Sequence, residues 1–329
     1  MAEAAAAPRS AVTDGRFVAL LAALLIYAAR GTPTPDVIGV PEIFMAILLV
    51  LAVGPAGVLA ALHPVAHAGW MRAAQILMLY GLSIPILAGL AQGNDPALMV
   101  RDMAAFLFLL LPLFFYPLVR QSPARIVILT MAAVTVGLAF SWRVLFSAFL
   151  THDGFEGILA RMHPADPAYL ANAPTVLFTA LLLMGLAGLR LYVAPRPKAC
   201  VMAAALAVLG ALPFVTMALI LQRASIGLGL AGLAFLLLVA FVRRPYRTVP
   251  LLLVVACVLA VVGSWLGMVI NDLAAKTVAV GLNSRWQEAA AVLARVDRDL
   301  MTVLCDRGWG AVIESPAVGA YAVNFTHNL

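Results

Sequence analysis

The sequence predicts an all-α membrane protein: a polytopic helix bundle of about nine spans over residues 1–270, then a large, partly helical extracytoplasmic segment over 271–329. Three observations carry that prediction. Hydrophobic residues make up 64% of the 329 and charged residues only 11%, with a mean hydropathy of +1.04; a soluble domain carries about a quarter charged residues. The apolar residues fall into Leu/Ala/Val/Gly runs of about twenty, the length that crosses a bilayer as a helix. The basic residues sit between those runs and alternate from side to side.

Such runs lie near 16–30, 37–61, 70–91, 97–119, 124–150, 173–194, 200–221, 224–242 and 248–270. With no water in the hydrocarbon, each satisfies its backbone only as a helix. Pro55, Pro85, Pro112 and Pro213 interrupt four of them. A membrane helix tolerates proline where neighbours re-satisfy the carbonyl that proline frees.

Orientation follows from the Lys/Arg bias of the short loops. One side collects Arg9, Arg16, Arg72, Arg120, Arg125, Arg190, Arg196, Lys198, Arg243, Arg244 and Arg247, with Glu3 and Asp14 as its only acids. That side is expected to be cytoplasmic, with the N-terminus on it and the tail after Ile270 outside. The net charge of +6 is therefore a topology signal rather than a nucleic-acid patch. Cys200, Cys257 and Cys305 form no disulfide frame or CxxC metal pattern. No small-residue cleavage site follows the first run, so no signal peptide is expected.

Two outer segments are large enough to carry chemistry. Residues 151–172 hold His152, Asp153, Glu156, Arg161, His163 and Asp166, at spacings that match no defensible metal pattern. In the tail, Ser284-Arg-Trp-Gln287 has the form of a capping box, and Trp286, Ala290, Leu293 and Leu300 follow at helical spacing. An amphipathic surface helix is expected over about 284–301, ended at Asp306-Arg-Gly308. Gly308-Trp-Gly310 and Ser315-Pro316 then read as loop leading to His327.

Five residues are candidates for a site. Arg223 opens the eighth run directly after Leu221-Gln222; it is either an interfacial snorkelling arginine or a bidentate phosphate ligand at the lip of a helical hairpin. Arg285 falls in the first turn of the tail helix, where a cation opposes the macrodipole; an anion held there by the guanidinium and the free N–H groups removes the conflict. Otherwise its stem packs on Trp286. His327 is the only histidine of the tail, mostly neutral near pH 7 and able to accept a hydroxyl proton. Asn328 could orient it or a substrate. Arg143 sits about two turns inside the fifth run, where a guanidinium must reach water, the interface or a partner, such as Asp102.

Other patterns carry less. Gly227-Leu-Gly-Leu-Ala-Gly232 matches GxGxxG inside an apolar run with no preceding strand, so close helix packing explains it better. His63-Pro-Val-Ala-His67 is interrupted by Pro64. Asn324-Phe-Thr326 is a glycosylation sequon by pattern alone.

Arg223-Ala-Ser opening a span, Asn-Ser-Arg285-Trp heading a large outer segment, Gly308-Trp-Gly310, and His327-Asn328-Leu329 together resemble the O-antigen ligase family, which is related to the O-antigen polymerases. The resemblance covers the whole chain in topology and residues 221–329 in motif. It implies an inverting, metal-independent, cofactor-free glycosyltransferase of the bacterial inner membrane with a periplasmic active-site loop. Its donor would be a glycan on undecaprenyl diphosphate and its acceptor lipid A-core. Arg223 and Arg285 would hold the diphosphate, and His327 would activate the acceptor hydroxyl. Fixed arginines can stabilise a leaving diphosphate without a metal. Family members continue past the His-Asn motif into further spans, so the chain is expected to be truncated. A polymerase using a glycan acceptor, or a protein-glycosylating transferase, shares the same donor chemistry. A transporter or an inactive assembly subunit is the alternative from another class; the absence of an internal repeat argues against a transporter.

Overall fold

The computed structural model describes residues 14–31, 39–62, 69–151, 167–193, 196–280, 290, 307–314 and 322–323. A helix coincides with every apolar run. In order they are α1 (Gly15–Arg30), α2 (Val40–Leu62), α3 (Gly69–Gly81), α4 (Ile84–Gln92), α5 (Pro96–Leu109), α6 (Leu111–Val119) and α7 (Pro123–Thr151). A 3-10 turn (Pro167–Asn172) precedes α8 (Pro174–Val193), α9 (Pro197–Leu219), α10 (Arg223–Arg243) and α11 (Pro245–Val280). A two-residue antiparallel ladder pairs β1 (Ile313–Glu314) with β2 (Ala322–Val323). Among the described residues, five segments are long and apolar enough to cross a membrane: Gly69–Gln92, Pro123–Ser147, Pro174–Val193, Pro197–Leu219 and Arg223–Arg243. The chain is a helical, multi-pass membrane protein by that measure. Only 6% of the apolar window of α10 is buried, so most of its Leu, Val and Phe surface needs a lipid solvent.

The prolines act differently from one another. Pro85 and Pro112 end helices: α3 stops before Pro85 and resumes as α4, and α5 stops before Pro112 and resumes as α6. Pro55 sits in α2 beside Gly54, whose φ of 55° and ψ of 174° break the helical ladder there. Pro213 lies inside a continuous α9 and is buried. The expected amphipathic helix over 284–301 lies outside the described residues, apart from a helical Ala290, and α11 runs through residue 270 without a break.

The chain divides into two units, each discontinuous in sequence. The first comprises residues 1–52 and 122–275. Its core is built where α7, α8 and α9 meet the 3-10 turn, around Phe140, Val144, Val176, Ala180, Met217 and Ile220. Small residues set the spacing. A Cβ on Gly137 would meet the Thr179 side chain and the Thr175 carbonyl, and one on Gly210 would stand 3.1 Å from Leu183 and Met184. In the GxGxxG stretch, Gly229 seats Phe214 and Leu177, and Gly232 seats Leu181, while Gly227 faces open space. Helix packing therefore accounts for that stretch.

At one end of this unit a buried cation is paired. The Arg125 side chain is 6% exposed; its Nη2 donates to Asp14 Oδ2 at 2.9 Å, and its guanidinium lies 5.3 Å from the Phe17 ring centre. Asp14 also caps α1, its Oδ1 accepting from Arg16 N at 3.1 Å. Arg16 Nε in turn donates at 2.9 Å to the Ala52 carbonyl, beside the α2 break.

The second unit comprises residues 53–121 and 276–329. Ala61, Met71, Met78, Leu110 and Leu113 form its core, with Phe106 and Phe114 packed against them. Buried Gln75 donates Nε2 to the Ala61 carbonyl at 2.9 Å, in the last turn of α2, where the helix leaves carbonyls without donors.

Substituting Gly137 with Val should destabilise the protein by about 1–3 kcal/mol, because α7 and α8 have no room for a side chain there. Gly227→Ala should change stability by no more than about 0.5 kcal/mol. Denaturant titration in detergent micelles reads both, and equal losses would contradict the packing assignment.

Candidate functional site

Arg223 is the first residue of α10 and is half-buried. The turn before it is tight. Leu221 N donates to Ala218 O at 3.0 Å, Gln222 N to Met217 O at 3.0 Å, and Arg223 N to Leu221 O at 3.1 Å. Leu221 takes a φ of 51°, the left-handed region that costs a branched L-residue roughly 1–2 kcal/mol. Burial against Ala218, Val269, Ile226 and Leu273 offsets that strain. Gln222 locks the turn from the other side. Its side-chain amide lies between Ala171 O and Ser225 Oγ on one side and the backbone N–H and side-chain amide of Asn172 on the other. The 3-10 turn and the head of α10 are thereby joined. Arg223 thus stands on a rigid, strained turn at a helix N-terminus, where backbone N–H groups favour an anion. Strain of this kind clusters at ligand-handling sites.

Arg143 reaches backbone partners inside its own unit. Its Nη1 donates to Ala28 O at 3.2 Å and to Ala29 O at 3.0 Å, two of the last carbonyls of α1. A cation at a helix C-terminus satisfies orphan acceptors and complements the macrodipole. Gly31 closes the same end at a φ of 92°, and a Cβ there would strike Leu170. Arg143 therefore caps the C-terminal end of α1. Asp102 serves elsewhere.

That place is the Gly308-Trp309-Gly310 turn, expected only to be loop. It is seated on α3, α4 and α5. Trp309 N donates to Pro85 O at 2.9 Å, and Trp309 Nε1 donates to Gly81 O at 2.7 Å. Gly81 is the last residue of α3, and its carbonyl is one of those a helix end leaves without a donor. The indole supplies the missing donor. Asn94 Nδ2 donates to Arg307 O at 2.7 Å and Trp309 O at 2.8 Å, and Gly310 N donates to Asp102 Oδ2 at 2.8 Å. The Trp309 and Phe106 rings are 5.5 Å apart. Both glycines are obligatory: Gly308 and Gly310 have φ of 71° and 79°, and a Cβ on Gly308 would collide with backbone atoms of Gly89 and Pro85. Asn94 escaped sequence reasoning, and Asp102 was read only as a possible partner of Arg143. Their signal was an amide and a carboxylate at a span end, opposite an indole that needed an acceptor.

Of the residues expected to form one site, only Arg223 and Arg143 fall within the description. Arg285, His327 and Asn328 lie outside the described residues, as do His63, His67, His152, Asp153, His163 and Asp166. Among the described residues no three His, Cys, Asp or Glu side chains gather closely enough to hold a metal ion. No family model, curated protein or solved structure matches the chain.

Trp309→Ala removes two contacts of the seated turn and should weaken its docking by about 3 kcal/mol. In a background lacking the native cysteines, a reporter cysteine at Ala311 should then react faster with a maleimide, and Gly308→Ala should do the same. Unchanged labelling would show that the turn is not held by these groups.

Proposed function

We propose that this chain is an inverting, metal-independent glycosyltransferase of the bacterial inner membrane. It moves a glycan from undecaprenyl diphosphate to an acceptor hydroxyl, with lipid A-core as the acceptor. In this reading about nine spans place the N-terminus in the cytoplasm and residues 271–329 in the periplasm. The single observation that carries it is the setting of Arg223, a half-buried guanidinium at the head of α10 on a strained turn locked by Gln222. A cation so preorganised suits a group whose charge grows during reaction, as a diphosphate does when its glycosidic bond breaks. Arg285 would be the second diphosphate ligand and His327 the base that takes the acceptor proton, with Asn328 orienting it. The seated Trp309 turn lies between Arg285 and His327 in sequence and gives that segment a fixed point. The order of the short motifs and the alternation of basic loops support the same assignment.

The test is glycan transfer in proteoliposomes from an undecaprenyl-diphosphate-linked donor. Arg223→Ala should lower kcat by about 100- to 1000-fold, as loss of one charge-stabilising donor does elsewhere. Arg223→Lys should recover little, because an ammonium cannot reproduce the bidentate contact. His327→Ala should abolish transfer without loosening donor binding, and EDTA should leave the rate unchanged. Extension of the donor glycan instead of transfer to lipid A-core would identify a polymerase. Normal transfer by Arg223→Ala, or solute movement without transfer, would contradict the proposal.

A further inference from the structure

Six basic side chains remain exposed at one end of the 1–52 and 122–275 unit: Arg190, Arg196, Lys198, Arg243, Arg244 and Arg247. Packing registers bring them together. α8 and α10 run parallel, since Leu177 meets Gly229, Leu181 meets Gly232 and Leu236 meets Gly185. Continued along both helices, that register sets Arg190 level with the end of α10, where Arg243 and Arg244 stand. α9 returns against α8, with Gly210 beside Leu183 and Met184, so its start carries Arg196 and Lys198 to the same end. α11 begins there as well: Leu251 meets Gly188, and Arg247 Nη1 donates to Val193 O at 3.4 Å.

No acid among the described residues is paired with the charge at this end. Arg16 and Arg125 belong to the same unit, but they are committed to the Ala52 carbonyl and to Asp14. Across the described residues of α8 to α11 the only acid is Asp272, on the last quarter of α11, remote from its basic start. α9 and α11 open here with Pro197 and Pro245 as their first residues, so two helix N-termini add favourable dipoles for an anion. Tyr246 is 70% exposed among the cations, an amphipathic ring of the kind that sits at headgroup level.

We infer that this end of the unit is a binding surface for anionic phospholipid headgroups. Guanidinium groups on a membrane-embedded bundle meet lipid phosphates directly and bind them bidentately. The surface selects a phosphoglycerol-type headgroup over a zwitterionic one by net charge.

Native mass spectrometry of the detergent-purified chain, titrated with phosphatidylglycerol or chain-matched phosphatidylcholine, tests this. The wild type should retain phosphatidylglycerol in preference. The variant R243Q/R244Q/R247Q should lose that preference by roughly fivefold per residue removed. R196Q/K198Q should lose it in smaller measure, and it decides the matter if the triple variant does not fold. Equal retention of both lipids, or an undiminished preference in either folded variant, would overturn the inference. So would displacement of phosphatidylglycerol by an equal concentration of inorganic phosphate, which would mark a soluble-anion site.

Discussion

A carbonyl released at a helix break has no water to turn to in hydrocarbon, and each one left alone costs several kcal/mol. Much of this structure answers that constraint with side-chain donors brought from far away in sequence. Arg16 reaches Ala52 beside the Gly54-Pro55 break, Arg143 reaches Ala28 and Ala29 at the end of α1, and Gln75 reaches Ala61 at the end of α2. Trp309 donates to the carbonyl of Gly81, the last residue of α3. In each case a polar residue that looks functional in an apolar chain is a substitute for a missing backbone N–H.

That role accounts for several of the polar residues. Arg143 and Arg125 are committed to the fold, and Asp102 and Asn94 are committed to holding the Trp309 turn. Arg223 stands beside a different feature, a turn strained at Leu221 and tied by backbone bonds through Gln222. A fold that stores strain next to a cation, while burying Leu221 to hold it there, has a fixed positive charge at the head of a helix. The basic end of α8 to α11 is the complementary case, in which charge is left outward for a partner in the membrane surface.

The positions of the helices were legible because apolar runs of about twenty have one solution in lipid. Where the runs break was half legible: Pro85 and Pro112 end helices, Pro55 kinks one, and Pro213 is absorbed, and nothing local separates these outcomes. The need for a donor at a freed carbonyl could be stated from the sequence; its identity could not. Trp309 and Gly81 are 228 residues apart, and Arg143 and Ala28 are 115 apart. The spacing of Gly308-Trp-Gly310 suggested a loop, whereas its glycines permit backbone-to-backbone seating. For the site itself, the sequence placed Arg223 correctly at the head of a helix but held no sign of the left-handed Leu221 before it.

The most direct measurement is the stability of a Trp309→Phe variant, read by denaturant titration in detergent micelles. The change keeps an aromatic ring but removes the Nε1 donor to Gly81, and it should cost about 1–3 kcal/mol, the penalty for an unsatisfied buried acceptor. If stability is unchanged, the indole is not standing in for a missing backbone donor, and the account of this fold as a set of re-satisfied carbonyls is wrong.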